Sequence, residues 1–85
     1  MVSKTIVARK KVLFRDKCYR LTYLLVTEEN TRYGIEILCK CGNEVEQDCV
    51  FLDTTRSRAY KIVRLFAQET VFPIALRETL SSYLS

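Results

Sequence analysis

The chain has 85 residues, 48% of them hydrophobic, with 14 lysines and arginines against 10 aspartates and glutamates and no histidine. A chain of this size has room for one domain that buries roughly 60 to 65% of the surface its unfolded form exposes. With only two glycines and one proline it is too apolar for a disordered tail, and the lack of histidine removes the commonest general base, the Ser-His and Cys-His nucleophile pairs and most catalytic zinc sites.

No apolar run approaches the ~20 residues that span a bilayer. Residues 1 to 11 place charge where a signal peptide needs its apolar segment, which predicts a cytosolic protein. Four cysteines in that compartment read as thiols. The net charge of +4 is unevenly spread. Residues 1 to 20 hold seven basic groups against Asp16, a local +6; residues 21 to 53 hold Arg32 and Lys40 against seven acids, a local −5; the remainder is +3. Such a chain attracts an acidic partner at one end, or satisfies itself if the first strand lies beside the acidic hairpin.

Taken in order, residues 4 to 14 alternate imperfectly, with Ile6, Ala8, Val12 and Phe14 on one side and Val7, Arg9, Lys11 and Leu13 on the other. This reads as an edge strand, because lysines discourage pairing with a neighbour. Arg15, Asp16 and Lys17 supply a polar turn into a second strand, Cys18 to Thr27, with Tyr19, Leu21, Tyr23 and Leu25 on one face. After a connection at residues 28 to 32, Tyr33, Ile35, Ile37, Cys39 and Cys41 alternate with mostly polar neighbours, the period of a central strand with one buried face. That spacing sets Leu25 opposite Ile35, Tyr23 opposite Ile37, Leu21 opposite Cys39 and Tyr19 opposite Cys41, and a slip by one residue would destroy all four pairs. It also sets Arg20 opposite Lys40, an unfavourable pairing of like charges.

Gly42 and Asn43 break the strand, and residues 44 to 52 return as a fourth. Asp53, Thr54 and Thr55 offer N-cap acceptors for a helix whose apolar stripe is Ala59, Ile62, Val63, Phe66 and Ala67, with Lys61 and Arg64 opposite. That helix ends before Pro73, which opens a second helix with Val71 placed to staple onto Leu76. Leu76, Leu80, Tyr83 and Leu84 form the second stripe; Ile74 lies off it. The predicted fold is α+β, a single domain of four antiparallel strands followed by two C-terminal helices packed on one face, in the order ββββαα.

For chemistry, two glycines cannot build a phosphate-cradling loop, and no carboxylate pair stands out; the chain reads as a non-enzyme with no cofactor. Cys39 and Cys41, with Cys49 and Cys18 as third and fourth ligands, resemble a shortened zinc knuckle. Strand residues i and i+2 lie about 6.5 to 7 Å apart, whereas two sulfurs at about 2.3 Å from zinc sit about 3.8 Å apart. Packed thiols are the preferred reading.

A nucleic-acid reading rests on Lys10, Lys11, Arg15 and Arg20 of the basic hairpin and on Arg58, Lys61 and Arg64 of the first helix. Against it, Tyr19, Tyr23 and Tyr33 fall on the face needed for the core, and a stacking platform has to be uncovered. A protein-binding reading rests on Leu24, Val26 and Leu38, apolar residues on the outer sheet face that helices on the other face cannot cover, together with Ile74. An exposed strand edge also admits a partner by strand addition.

The segments Tyr33-Gly34-Ile35-Glu36-Ile37 and Pro73-Ile74-Ala75-Leu76-Arg77-Glu78-Thr79-Leu80 together resemble a domain-of-unknown-function family of short Firmicute proteins. The resemblance covers residues 19 to 84 and implies a bacterial or phage-borne cytosolic protein without implying an activity. The combined expectation is a small cytoplasmic binding or regulatory protein. Its partner is an unidentified protein or a second copy; nucleic acid is the alternative, then zinc, and no membrane is expected.

Overall fold

The alternation of the first 52 residues produces four strands, β1 (Val2–Phe14), β2 (Lys17–Glu28), β3 (Arg32–Cys41) and β4 (Glu44–Leu52), in a computed structural model that describes residues 1–84. They form one antiparallel sheet in chain order, with β1 at an edge as expected. Helix α1 (Arg56–Gln68), a 3₁₀ turn (Pro73–Ala75) and helix α2 (Leu76–Leu84) follow. This is the predicted ββββαα architecture.

The first two hairpins are each made by consecutive residues with positive φ. Arg15 and Asp16, at φ 50° and 64°, join the paired residues Phe14 and Lys17, a two-residue connection whose twist matches that of the strands. Glu29 and Asn30 do the same before Thr31, and Glu28 pairs with Arg32. The connection is therefore shorter than the five residues expected, but the register is the predicted one. Leu25 meets Ile35, Tyr23 meets Ile37, Leu21 meets Cys39 and Arg20 meets Lys40.

The first strand departs from its expected facing. Ile6 pairs with Leu24 and Ala8 with Tyr23, leaving Val7 as an extra residue. This β-bulge sends Ile6 to the opposite face from Ala8, Lys10, Val12 and Phe14. The imperfect alternation of the sequence is the trace of that insertion.

The helices cover one sheet face, here called inner. Leu21, Tyr23, Leu25, Ile35, Ile37 and Cys39 meet Ala59, Ile62, Val63, Phe66 and Ala67 of α1 and Leu76 and Leu80 of α2 in one buried cluster. Tyr19 and Tyr33 pack at its margin. Thr55 is the N-cap of α1, its hydroxyl accepting from the Arg58 amide at 3.3 Å. At the other end the Thr70 amide donates to Ala67 and the Val71 amide to Phe66, a Schellman ending with Thr70 at φ 57° in the position glycine usually takes. Lys10 reaches across from β1 and donates from Nζ to the Ala67 carbonyl (2.9 Å) and the Thr70 hydroxyl (2.6 Å), placing a cation on the negative end of the helix dipole. The buried Tyr23 hydroxyl donates to the Val71 carbonyl at 3.0 Å. Arg77 of α2 donates to both carboxylate oxygens of Asp48 and to the Cys49 carbonyl, fastening α2 to β4. Pro73 opens the 3₁₀ turn, and Val71 and Leu76 enter the same core, as the staple requires. No helix among the described residues is long and apolar enough to cross a membrane.

Candidate functional site

Both helices lie on the inner face, so the outer face carries no layer of secondary structure. Its residues stand in rows across the strands: Lys4, Val26, Gly34 and Phe51; then Ile6, Leu24, Glu36 and Cys49; then Arg9, Thr22, Leu38 and Gln47; then Lys11, Arg20, Lys40 and Val45.

The first two rows close over themselves. Leu24 and Val26, expected to stay uncovered, are only 9% and 1% exposed. The cause lies in two neighbours. A Cβ on Gly34 would stand 2.9 Å from the Val50 carbonyl oxygen and 3.0 Å from the Phe51 ring, so the phenyl group lies in the space that any larger side chain beside Val26 would fill. The Arg32 guanidinium then sits 4.6 Å from the centre of that ring, a cation–π contact. On the other side Lys4 starts opposite Val26 on β1 and ends on Glu36 of β3, Nζ to Oε1 2.9 Å, so its stem crosses β2. Glu36 is 4% exposed, and its second oxygen accepts from Gln47 Nε2 at 2.7 Å. The bond and the charge of Glu36 raise the Lys4 ammonium above its ordinary value. Leu38 is half-buried, and Ile74 is exposed on the helix-bearing side. The four residues of the expected protein-binding patch therefore share no single surface.

The other two rows are different. Lys11 stands directly opposite Arg20 and Arg20 directly opposite Lys40, with Arg9 two positions before Lys11 on the same strand. All four are exposed, and among the described residues none forms an ion pair. With Ile6, Thr22, Leu24 and Leu38 they line one shallow depression. The basic residues singled out from the sequence divide accordingly: Lys11 and Arg20 are here, Arg15 is at the hairpin tip, Lys10 is bonded to α1, and Arg58, Lys61 and Arg64 are exposed on a helix across the sheet. Sequence reasoning missed Arg9 and Lys40. The like-charged pair of Arg20 and Lys40 was the available signal for Lys40, while Arg9 depends on the bulge. Among the described residues the acidic hairpin meets the first strand's basic side chains at Lys4 alone, through Glu36, since β1 and β4 occupy opposite edges.

The four cysteines do not converge. Cys39 and Cys41 belong to the inner face, while Cys18, paired with Leu13, and Cys49, paired with Glu36, belong to the outer one. The four-cysteine zinc reading is thereby corrected, because alternation puts its ligands on both sides of the sheet. Among the described residues no three His, Cys, Asp or Glu side chains are grouped to hold a metal. Burial first, then Glu46 and Cys41, push the Cys39 thiol up; burial, then Glu36, does the same for Cys49. Both are biased toward the unreactive protonated form.

A second feature lies on the inner face beyond the reach of the helices. Val12, Tyr19, Cys39 and Cys41 floor a recess of about 450 Å³, walled by Phe72 and Ile74 and bordered by Phe14, Glu44 and Glu46. Tyr19 meets Phe72 edge to face, 5.7 Å between ring centres.

A model described as a family of unknown function (DUF6514) matches residues 3–85, and the chain belongs to that family. No curated protein and no solved structure matches it.

Proposed function

We propose that this DUF6514 member is a small, non-catalytic binding protein that holds an acidic amphipathic segment of another protein against the outer face of its sheet. The observation that carries this reading is the row Lys11, Arg20, Lys40, three cations in direct cross-strand opposition with no acid among them. Like charges so placed weaken a sheet. A partner that brings carboxylates removes that repulsion.

The kind of partner follows from what the cations surround. Ile6, 48% exposed, and the half-buried Leu38 lie within the same depression as Arg9, Lys11, Arg20 and Lys40. An amphipathic segment matches both parts, apolar side chains on the floor and acids at the cationic side. A phosphate backbone would use the cations and leave the apolar floor idle, and no aromatic ring lines this depression to stack a base. The reading carries with it a cytoplasmic setting, from the thiols, and a bacterial or phage origin, from the resemblance at Tyr33 to Ile37 and Pro73 to Leu80.

The test is fluorescence anisotropy with a labelled synthetic helix-forming peptide that alternates leucine and glutamate faces. Binding should weaken as salt rises and fall on changing Lys11, Arg20 and Lys40 together to glutamate, a set of exposed positions that leaves the core intact. Failure of the peptide to bind sinks the reading. Displacement of the peptide by an equal concentration of single-stranded or duplex DNA replaces it with nucleic-acid binding.

A further inference from the structure

The recess on the inner face is the second open feature of the molecule, and it lies between two hairpin tips at one end of the sheet. The tip joining β1 to β2 carries Arg15 and Lys17 around Asp16; the strand leaving the other tip, β4, begins with Glu44 and Glu46. Among the described residues none of these four basic and acidic side chains forms an ion pair. Between the two tips the surface is apolar, and it is wet: Phe14 is 56% and Ile74 88% exposed. The helical layer could have covered this end of the sheet but stops at Phe72 and Ile74.

We infer that this end of the molecule binds a second copy of the same chain, each copy laying its Arg15 and Lys17 tip against the Glu44 and Glu46 side of the other. The chemistry that fits an apolar recess with an acidic border is an exposed apolar residue next to a cation. The chain presents that combination itself, in Phe14 beside Arg15, whose guanidinium stands 5.2 Å from the centre of the Phe14 ring. A patch holding both the recess with its acids and the cationic apolar tip is complementary to itself, the condition for a closed two-fold contact in which residue i meets j and j meets i. Two such contacts form at once and bury the apolar surface of both copies. The association leaves Arg9, Lys11, Arg20 and Lys40 free on the other face, so it stands or falls apart from the proposed function.

Sedimentation equilibrium of the intact chain over a range of concentrations, at low and at moderate salt, is the test. The expected species is a dimer that loosens as salt rises. The Glu44→Lys/Glu46→Lys and Arg15→Glu/Lys17→Glu double variants should each associate roughly tenfold or more weakly, because like charges then face each other. Mixed in equal amounts, the two should regain a dimer holding one copy of each. Ile74→Glu, at a side chain outside the core, should also weaken association. Far-UV circular dichroism and an unchanged urea midpoint separate lost association from lost fold, and the mixture supplies a gain of association that misfolding cannot mimic. A wild-type chain that remains monomeric throughout, a dimer retained by both charge-reversed variants, or a mixture that stays monomeric overturns the inference. A monomeric chain that instead takes a synthetic leucine- and arginine-rich peptide into the recess overturns the second copy as its occupant.

Discussion

The two faces of the sheet reach similar burial by different means. On the inner face Tyr23, Ile35 and Ile37 are fully buried because two helices supply apolar side chains to meet them. On the outer face Val26 is 1% exposed with no helix above it, under the stem of Lys4 and beside a phenyl ring laid into the gap at Gly34. A layer of secondary structure is therefore not the only cover for a sheet. Long charged side chains and one glycine can do it, provided that each charge finds a partner, as Lys4 does in Glu36 and Arg32 does in Glu28 and the Phe51 ring.

The comparison can be broken most severely by attacking both covers. Phe66→Ala empties the inner core and should destabilise by about 3 to 5 kcal/mol. Gly34→Ala adds one carbon on the outer face, yet it meets the Val50 backbone oxygen at 2.9 Å, so a loss of about 1 to 3 kcal/mol is expected from the forced shift of β4. Urea denaturation measures both. If Gly34→Ala unfolds at the wild-type midpoint, the outer face is merely crowded and not closed.

Alkaline pH weakens both faces through one group on each. Burial pushes the Tyr23 hydroxyl from its usual 10 up to about 12. A raised value means that the fold favours the protonated form, so this contribution is intact below the unfolded value near 10 and is lost as pH climbs toward about 12. Lys4, raised above 10.5 by Glu36, has the same sign: its pair is intact below its unfolded value and dissolves as pH rises through the raised one. Urea midpoints taken at pH about 8 and about 11 should fall, and the fall should be shallower in Tyr23→Phe, which no longer titrates. An equal slope in that variant would assign the alkaline loss to other groups.

The smallest expected effect sharpens the contrast within the outer face. Arg20 stands between Lys11 and Lys40, so Arg20→Thr should raise stability by about 0.2 to 1 kcal/mol while weakening the acidic peptide. A variant that is less stable than the wild type would mean that this row already finds its counter-charge within the chain.

The hairpin between β2 and β3 was legible in the sequence because its signal is local: Tyr23, Leu25, Ile35 and Ile37 have one acceptable register. The stripe and cap of α1 were legible for the same reason. The covering of Leu24 and Val26 was not, since it depends on the length of Lys4 and on where Phe51 falls on a strand two places away. The one clue was Gly34 inside an otherwise unbroken strand, a residue that marks the close approach of something else. The inward turn of Lys10 was hidden too, because Ile6 and Val7 are both apolar and either could start the alternation.

That ambiguity has a further result. Val7 sets the parity of everything after it in β1: by standing in the strand unmatched, it sends Arg9 and Lys11 to one side and Lys10 to the other. Were Val7 to pair with Tyr23 and close the bulge, they would exchange, driving two cations beneath α1 and leaving the end of that helix without its lysine clamp. A single supernumerary residue thus sorts three consecutive basic side chains, directing one to hold the molecule together and two to face whatever it meets.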